Sequence, residues 1–225
     1  MMIVKICLSL CMILLIYIVM RFLLSSTENV ELPSCQILMQ DAPYEVRAYD
    51  AMIIAYTHAS GDQKKALRPG FRHLAAYIFG HNQAKQRISM TAPVLEKKQD
   101  NDWRIAFIMP AHYELSELPN ANDKHVHIER IPARKYVVLR FSGWLSTRIL
   151  QKKKMQFQSY LNQKSCKVID EPLFAFYNPP WTMPFLRRHE IWYPLDGECH
   201  LKNDKLSDGR LHESEASKDH HKKHH

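Results

Sequence analysis

The order of apolar patterns along the chain occurs twice, and this repetition constrains the fold more than any other feature. In each half, two short segments with the period of a strand precede a helical stripe, and further extended segments follow it. Four positions of the two stripes correspond at a constant offset, with Leu67, Leu74, Tyr77 and Ile78 matching Leu150, Phe157, Tyr160 and Leu161. Such repetition is typical of a duplicated ββαββ unit. It predicts an α+β fold with one curved sheet or partly closed barrel and both helices packed outside.

Local signals set the expected helix boundaries. Apolar side chains recur every three or four residues in the first helical pattern, at Leu67, Phe71, Leu74 and Ile78. Pro69 and Gly70 fall inside this pattern, so we expect the first helix to begin or to kink there. Ser146 or Thr147 can cap the second helix.

The N-terminal residues form a separate apolar segment. Ile6–Met20 is almost wholly apolar, and Arg21 follows it directly. We expect residues 1–24 to be a transmembrane anchor, and a cleavable signal peptide is the alternative. On the first interpretation the domain is membrane-anchored and exported to the periplasmic or extracellular side; on the second it is secreted.

Composition divides the rest of the chain into three parts. Residues 25–40 are expected to be a linker, and residues 41–196 contain all the periodic patterns of a folded domain. Residues 197–225 lose this periodicity and are rich in His, Lys, Asp and Ser, so they are predicted to be a disordered tail.

The folded domain carries the positive charge of the chain. The formal net charge is +8, and the charges of residues 1–34 and 197–225 cancel within each segment, so the excess belongs to residues 35–196. A basic domain favours anionic partners, although a solvated basic surface without a partner explains the charge as well. No recognised nucleic-acid-binding motif occurs, and we expect no nucleic-acid partner.

The spacing of cysteines and histidines gives little support for a disulfide framework or a metal site. Cys35, Cys166 and Cys199 lie outside the apolar segment with no close spacing, so a disulfide framework is not expected, although one pair is possible. The tail histidines can bind metal only without fixed geometry, and His125 and His127 share one face of a strand without an evident third ligand.

Catalytic motifs are absent from the sequence. It contains no nucleophile elbow, phosphate-binding glycine loop or zinc-protease motif. Glu190 and Tyr193 are candidates for hydrolysis only in principle. We therefore predict a binding protein rather than an enzyme.

Aromatic side chains and arginines occur together at two places. The first helix carries Phe71 and Phe79 next to Arg68, and the segment Trp181–Phe185, which includes Met183, precedes further arginines. An apolar slot with guanidinium groups at its edge suits a planar amphipathic anion. The alternative is that the apolar stripe of the helix is simply core.

Seven motifs occur in the order in which one known family has them. They are Tyr44-Glu45-Val46-Arg47-x-Tyr49, Phe71-x-x-Leu74-x-x-Tyr77-Ile78-x-Gly80-x-Asn82, Ile88-x-Met90-Thr91-Ala92-Pro93-Val94, Phe107-x-Met109-Pro110, Phe141-Ser142-Gly143, Tyr177-Asn178-Pro179-Pro180-Trp181 and Arg187-Arg188-His189-Glu190-Ile191. Over roughly residues 44–195, the chain therefore resembles the SOUL haem-binding family. The resemblance implies two ββαββ repeats in a distorted eight-stranded antiparallel sheet or barrel flanked by two helices, as in the effector-binding domains of bacterial multidrug regulators.

The resemblance also implies a ligand and a site. The ligand is haem or a related tetrapyrrole, bound reversibly on an apolar surface beside the first helix. Arg68 would face the propionates, and Phe71, Leu74 and Ala75 would form the apolar wall; we add Met183 from the aromatic loop.

Three positions depart from the family pattern. Ala48 stands where some members have a proposed axial histidine, Ala76 stands where some have a lysine, and His189 replaces the usual Asn before Glu190. Haem therefore has no obvious protein ligand in the sequence. The alternative function is a structural or protein-interaction module that uses the same fold without binding haem.

Overall fold

The structure is a computed structural model that describes residues 10–15, 17, 30–197, 199 and 201. Its strands, numbered along the chain, are β1 Cys35–Asp41, β2 Tyr44–Tyr49, β3 Met52–Ser60, β4 Val94–Gln99, β5 Asp102–Ile108, β6 His127–Ile131, β7 Arg134–Phe141, β8 Leu173–Phe176 and β9 His189–Pro194. Two longer helices, α1 Gln63–Ile78 and α2 Thr147–Gln163, alternate with them. Single 3-10 turns occur at Leu115–Glu117 and Pro184–Leu186.

All the strands belong to one antiparallel sheet with the order β1-β2-β7-β9-β8-β4-β5-β3-β6. The sheet curls into a half-barrel. After β1, the elements occur twice in the order strand, strand, helix, strand, strand. Three strands of each unit lie side by side, β4-β5-β3 from the first unit and β7-β9-β8 from the second. The first strand of each unit is exchanged, since β2 pairs with β7 and β6 pairs with β3.

The predicted fold, which combined eight strands with an N-terminal transmembrane helix, is wrong. A ninth strand, Cys35–Asp41, lies within residues expected to be a linker and pairs with β2 at the sheet edge. No helix among the described residues is long and apolar enough to cross a membrane. Residues 10–15 and 17 are helical, whereas residues 1–9, 16 and 18–24 of the expected anchor lie outside the described part of the chain, as do residues 202–225 of the expected tail.

Side chains alternate between the two faces of the sheet, and each face has its own apolar cluster. The helices cover the first face, where Ile105 and Phe107 of β5 and Val137 and Leu139 of β7 are buried. The second, inner face carries a cluster that includes Leu95, Ala106 and Trp192 and is closed by the curl of the sheet. Both faces are thus removed from most of the solvent.

Helix α1 begins before the Pro69–Gly70 pair at which we predicted a start or a kink. Asp62 caps it by accepting a hydrogen bond from the Lys65 backbone N–H at 2.9 Å, and Pro69 lies inside the helix. Gly70 faces Ile105 so closely that an added Cβ would lie 2.8 Å from its Cδ1. The glycine therefore allows helix α1 to approach the sheet, which is a packing role rather than a helix boundary.

A buried carboxyl group lies beneath the first turn of α1. Glu96 of β4 is 2% exposed and accepts a hydrogen bond from the Gln63 amide at 2.7 Å, while its other oxygen has no partner. Burial raises the pKa of Glu96 to about 7, although the hydrogen bond from Gln63 opposes this shift. The folded protein thus favours the neutral acid.

The raised pKa predicts that Glu96→Gln is stabilising at alkaline pH. A carboxyl group whose pKa is higher in the folded than in the unfolded state costs stability as the pH rises from its ordinary value of 4.5 through about 7. At pH 8 the variant should exceed the wild type by on the order of 3 kcal/mol in unfolding free energy, and the difference should vanish in acid. Denaturant titrations across this pH range measure it. As a control, Glu171→Gln removes an exposed carboxylate and should change stability by less than ~1 kcal/mol; a pH-independent Glu96→Gln effect would refute the account.

Candidate functional site

A row of paired residues crosses five strands on the helix-bearing face between the two helices. It consists of Phe107, Val94, Phe176, His189 and Phe141, which are register partners from β5 through β4, β8 and β9 to β7. Directly paired residues share one face of an antiparallel sheet. We call this row, together with Phe71 of α1, the aromatic strip.

Ring contacts connect the members of the aromatic strip. Phe71 meets Phe107 edge to face with 5.1 Å between ring centroids, and His189 contacts Phe141 at 5.5 Å and Phe176 at 5.8 Å. Phe71 is 40% exposed, and the side chains of Phe176 and Phe141 are half-buried. The strip is therefore an apolar surface that the helices leave partly open.

His189 is the polar member of the aromatic strip. It is 5% exposed, its Nδ1 is buried without a hydrogen-bond partner, and its Nε2 lies 3.3 Å from the Gly143 carbonyl oxygen. Burial lowers the pKa of His189, although the hydrogen bond to Gly143 opposes this effect. The imidazole is thus neutral at physiological pH, and its Nδ1 is buried without a hydrogen bond.

Two loops extend this surface beyond the strip. The backbone N–H of Gly143 donates to the Pro184 carbonyl at 3.0 Å, which joins the β7–α2 loop to the β8–β9 loop. Together the loops expose five large apolar side chains: Trp144, Trp181, Met183, Phe185 and Leu186. The Arg187 guanidinium lies 5.5 Å from the Trp144 ring centroid and places a cation at this end.

The structure separates the residues that we predicted for the site. Arg68 and Phe71 are exposed on α1 and Ala75 is half-buried, whereas Leu74 has no exposed surface and packs in the core. Met183 is 54% exposed, but it lies on the β8–β9 loop rather than on α1. The structure thus places Leu74 in the core and Met183 away from α1, apart from the exposed Arg68 and Phe71.

The inner face of the sheet contains a buried ionic network that the sequence analysis missed. The Glu190 carboxylate is fully buried and receives Arg47 Nη1 at 3.1 Å and Arg188 Nε at 2.9 Å. The Tyr177 hydroxyl and the Trp192 indole N–H each donate to it at 2.7 Å. Every lone pair of the carboxylate is thus committed to a donor.

This network determines the ionisation of its members. Burial opposes ionisation of Glu190, but the charges of Arg47 and Arg188 and the hydrogen bonds outweigh it, so the pKa of Glu190 lies below its ordinary value.

Tyr193, the other residue considered for hydrolysis, packs on the opposite face against Phe157. The two residues are therefore not assembled into a catalytic pair.

A cleft of about 240 Å³ remains at one end of the inner face. Leu95, Ala106 and Leu173 form part of its apolar floor, and Arg134 and Lys97 lie at its rim. Lys97 pairs with Asp170, whereas Arg134 is exposed. The volume lies just below the roughly 300–1,000 Å³ of common ligand pockets, so the cleft can enclose only part of a large ligand.

Comparison with known sequences identifies the family. The model of the SOUL heme-binding protein family matches residues 30–194. The chain belongs to the SOUL heme-binding protein family. The membership predicted from the seven motifs is thus confirmed, and haem is the cofactor that the family description names.

Two named relatives align with most of the chain. Human Heme-binding protein 2 is 28% identical over 175 residues, which cover 73% of this chain and 84% of the human protein. Mouse Heme-binding protein 2 is 26% identical over 194 residues, covering 80% of this chain and 93% of its own.

Solved structures share the architecture at low identity. The C-terminal domain of EcmrR has a TM-score of 0.55 at 11% identity, covering 72% of this chain and 100% of that domain. EcmrR in a complex with DNA has a TM-score of 0.54 at 10% identity, covering 69% of this chain and 57% of its own. Identity this low shows a common fold alone.

Two positions that depart from the SOUL family pattern lie at different places relative to the aromatic strip. Ala48 of β2 pairs with Lys135 at the start of β7, whereas the aromatic strip crosses β7 at its last residue, Phe141. A histidine at position 48 would therefore lie at the far end of the strand from the strip. His189, which replaces the usual Asn, lies within it.

The buried network predicts a severe and pH-dependent effect of Arg47→Met. Removing one partner leaves a buried charge with too little compensation, which costs ~3–5 kcal/mol of unfolding free energy. Arg47 is the main cause of the lowered pKa of Glu190, so in the variant burial should raise this pKa and Glu190 should take up a proton at a higher pH than in the wild type. The loss caused by Arg47→Met should therefore be largest at pH 7, where an ionised Glu190 is favoured in the wild type, and shrink towards pH 4 as the carboxyl group of the variant becomes protonated.

Denaturant titrations of the two proteins at both pH values measure this effect. The matched control is Arg130→Met, which removes an exposed pair with Glu114 and should cost less than ~1 kcal/mol at either pH. An equal loss for Arg47→Met at pH 7 and pH 4 would contradict the assigned ionisation of Glu190.

Proposed function

We propose that this SOUL-family protein is a non-enzymatic carrier that binds haem reversibly on the aromatic strip beside α1. Family membership and the relatives named Heme-binding protein 2 support the ligand. The observation that carries the location is His189, a neutral buried imidazole with an unpartnered nitrogen among partly exposed aromatic rings.

The residues of the strip fit the chemistry of haem. A flat apolar macrocycle gains van der Waals contact from the rings of Phe71, Phe176 and Phe141. His189 would bind the haem iron through Nδ1, the buried nitrogen that has no hydrogen-bond partner, once the neighbouring rings of Phe141 and Phe176 move aside. Bound haem would supply the iron and the visible absorption bands. The protein would hold the haem and limit its contact with water.

Cations lie at both ends of the strip for the propionate groups. Arg68 is one turn before Phe71 on α1, is exposed, and has no ion pair among the described residues. Lys153 Nζ lies 5.8 Å from the Phe141 ring centroid at the other end. Carboxylates at the edge of the macrocycle can pair with either cation without entering the core.

The inner-face cleft is the competing location. It offers an apolar floor and the exposed guanidinium of Arg134, but its size permits only partial insertion. Its neighbours Tyr49, Tyr136 and Trp192 already fill the inner face with mutual ring contacts of 4.5–5.8 Å. Binding there would require these rings to move, whereas Phe71 of the aromatic strip is already 40% exposed and can contact a macrocycle without rearrangement.

A hemin titration with matched charge reversals tests the location. We expect the wild type to give a saturable Soret shift, and Arg68→Glu to weaken binding by about tenfold because a propionate loses its partner. Arg134→Glu makes the same charge change on the inner face and should leave binding unchanged. His189→Gln should remove the spectral signature of imidazole ligation, and His127→Gln, an exposed histidine on β6, should retain it.

The possible outcomes test two questions separately: whether the protein binds haem, and where on the protein haem binds. A flat titration of the wild type would refute the haem proposal altogether. If Arg134→Glu weakens hemin binding and Arg68→Glu does not, the aromatic strip is refuted as the haem site and the inner-face cleft is favoured.

The exposed loops favour protein interaction as a second candidate function. Trp144, Trp181 and Phe185 are each at least 68% exposed, and a contiguous apolar surface of this kind commonly marks a docking site. A docking module needs no neutral imidazole in the strip. Saturable hemin binding that depends on His189 therefore distinguishes the carrier from the docking module.

We further propose that the domain folds in an oxidising, exported compartment. Cys166 and Cys199 form a disulfide that closes a loop of 33 residues after α2, and Leu201 is buried next to it. Disulfides persist mainly in secreted or otherwise exported proteins.

The disulfide predicts a stability effect that depends on redox conditions. Cys199→Ser should lower the unfolding free energy of the oxidised protein by ~2–4 kcal/mol, because the cross-link restricts the unfolded chain. Reductant should lower the wild type to the level of the variant and leave the variant unchanged. Cys35→Ser, at an exposed free cysteine, is the control and should have no effect. Alkylation of both Cys166 and Cys199 in protein blocked at lysis would contradict the proposed compartment.

A further inference from the structure

Helix α1 and the loop before β6 bring together three metal-binding side chains on the side away from the aromatic strip. His73 Nδ1 lies 2.5 Å from Asp123 Oδ2, and His125 Nδ1 lies 2.8 Å from Asp123 Oδ1. One ligand atom from each of the three residues lies within 4.8 Å of the others. Positions 71 and 73 are about 200° apart around a helix, so this cluster and the strip occupy opposite sides of α1.

The loop that carries Asp123 and His125 is fixed before any ion binds. The Tyr77 hydroxyl donates to the Pro119 carbonyl, and the Gln83 backbone N–H donates to the Asn120 carbonyl, both at 2.9 Å. Leu118 and Val126 are buried on either side of the loop. The Asp123 carboxylate also accepts the backbone N–H of His125 at 2.9 Å, and this hydrogen bond, with the two histidines, holds the pKa of Asp123 below its ordinary value.

We propose that His73, Asp123 and His125 form a binding site for a divalent transition metal ion of the zinc type. Two imidazoles and a carboxylate are the preferred ligands of such an ion, and three protein ligands leave a position for water or another ligand. The side chains are 31%, 33% and 57% exposed, so the ion can enter from solvent.

Metal binding needs only a local change at the cluster. In the metal-free protein, Asp123 can accept a hydrogen bond from the Nδ1–H of each neutral histidine. When the ion replaces these hydrogen bonds, the one ring proton of each histidine moves from Nδ1 to Nε2 by exchange with water, and Nδ1 becomes the metal ligand. The carboxylate contributes the negative charge that offsets the charge of the ion.

The fold gives His125 metal-binding neighbours other than His127, the histidine that shares its sequence spacing. His127 lies on β6 with its ring against Tyr56, at 5.3 Å between centroids. The partners of His125 are instead His73, far away in sequence, and Asp123. The hypothesis does not rest on haem binding, because none of the three residues belongs to the aromatic strip.

Metal titration of the full chain tests the site, provided that the tail histidines are silenced. In the background protein, all six tail histidines are changed to Gln. They are His200, His212, His220, His221, His224 and His225. We expect this background to bind one equivalent of Zn²⁺ by calorimetry and to give the visible ligand-field bands of nitrogen-coordinated Co²⁺. His125→Gln and Asp123→Asn should each weaken binding by at least about tenfold, and His73→Gln should abolish the Co²⁺ bands.

Matched controls decide whether His73, Asp123 and His125 bind a metal ion or only form hydrogen bonds with one another. His127→Gln, two residues from His125 and outside the cluster, should bind Zn²⁺ with unchanged affinity. Since the His125 side chain is more than half exposed, His125→Gln should remain folded by circular dichroism, which keeps the comparison valid. Absence of Zn²⁺ binding in the background protein, or equal affinity in the His125→Gln and His127→Gln proteins, would overturn the proposal.

Discussion

Both faces of a single curled sheet carry apolar side chains here, and covering both of them is the constraint on which the rest of the structure depends. Helices α1 and α2 cover opposite sides of the first face through Leu74, Ile78, Phe157 and Leu161, which have almost no exposed surface. The face between them is only partly covered, and this gap is the aromatic strip. The inner face is closed instead by its own rings and by the fully paired Glu190 carboxylate. The surface left for a ligand is thus a consequence of how a nine-stranded sheet is shared between two helices.

Local periodicity predicted the elements that lie in the middle of the sheet. Trp103, Ile105 and Phe107 alternate with smaller or polar residues, and the structure buries all three against the helices. Strand β1 has no such signal, because four of its seven residues are exposed at the sheet edge and only backbone pairing with β2 defines it. The length of α1 also escaped prediction, since Pro69 and Gly70 resemble a boundary until the close approach to Ile105 is known.

Site chemistry was less predictable, because it depends on contacts between distant parts of the chain. Arg47 and Glu190 are 143 residues apart, and neither shows a local motif for an ion pair. Arginine and glutamate at strand positions that should face an apolar interior are a signal that could have indicated such a pair. His189 was recognised as unusual in sequence, but its unpartnered nitrogen and its place between Phe141 and Phe176 come from the sheet register. Leu74, which the family resemblance placed on the apolar wall of the site, lies in the core with no exposed surface, and helical periodicity cannot tell a core residue from one beside a groove.

The position of haem on the helix-bearing face of the sheet can be measured directly by an NMR titration of isotopically labelled protein with hemin, whose paramagnetic iron broadens nearby signals. If haem binds on the aromatic strip, signals from Phe71, Val94 and Phe176 should be lost early, while signals from Lys97 and Arg134 persist. Broadening that begins at Lys97 and Arg134 and spares the aromatic strip would contradict it.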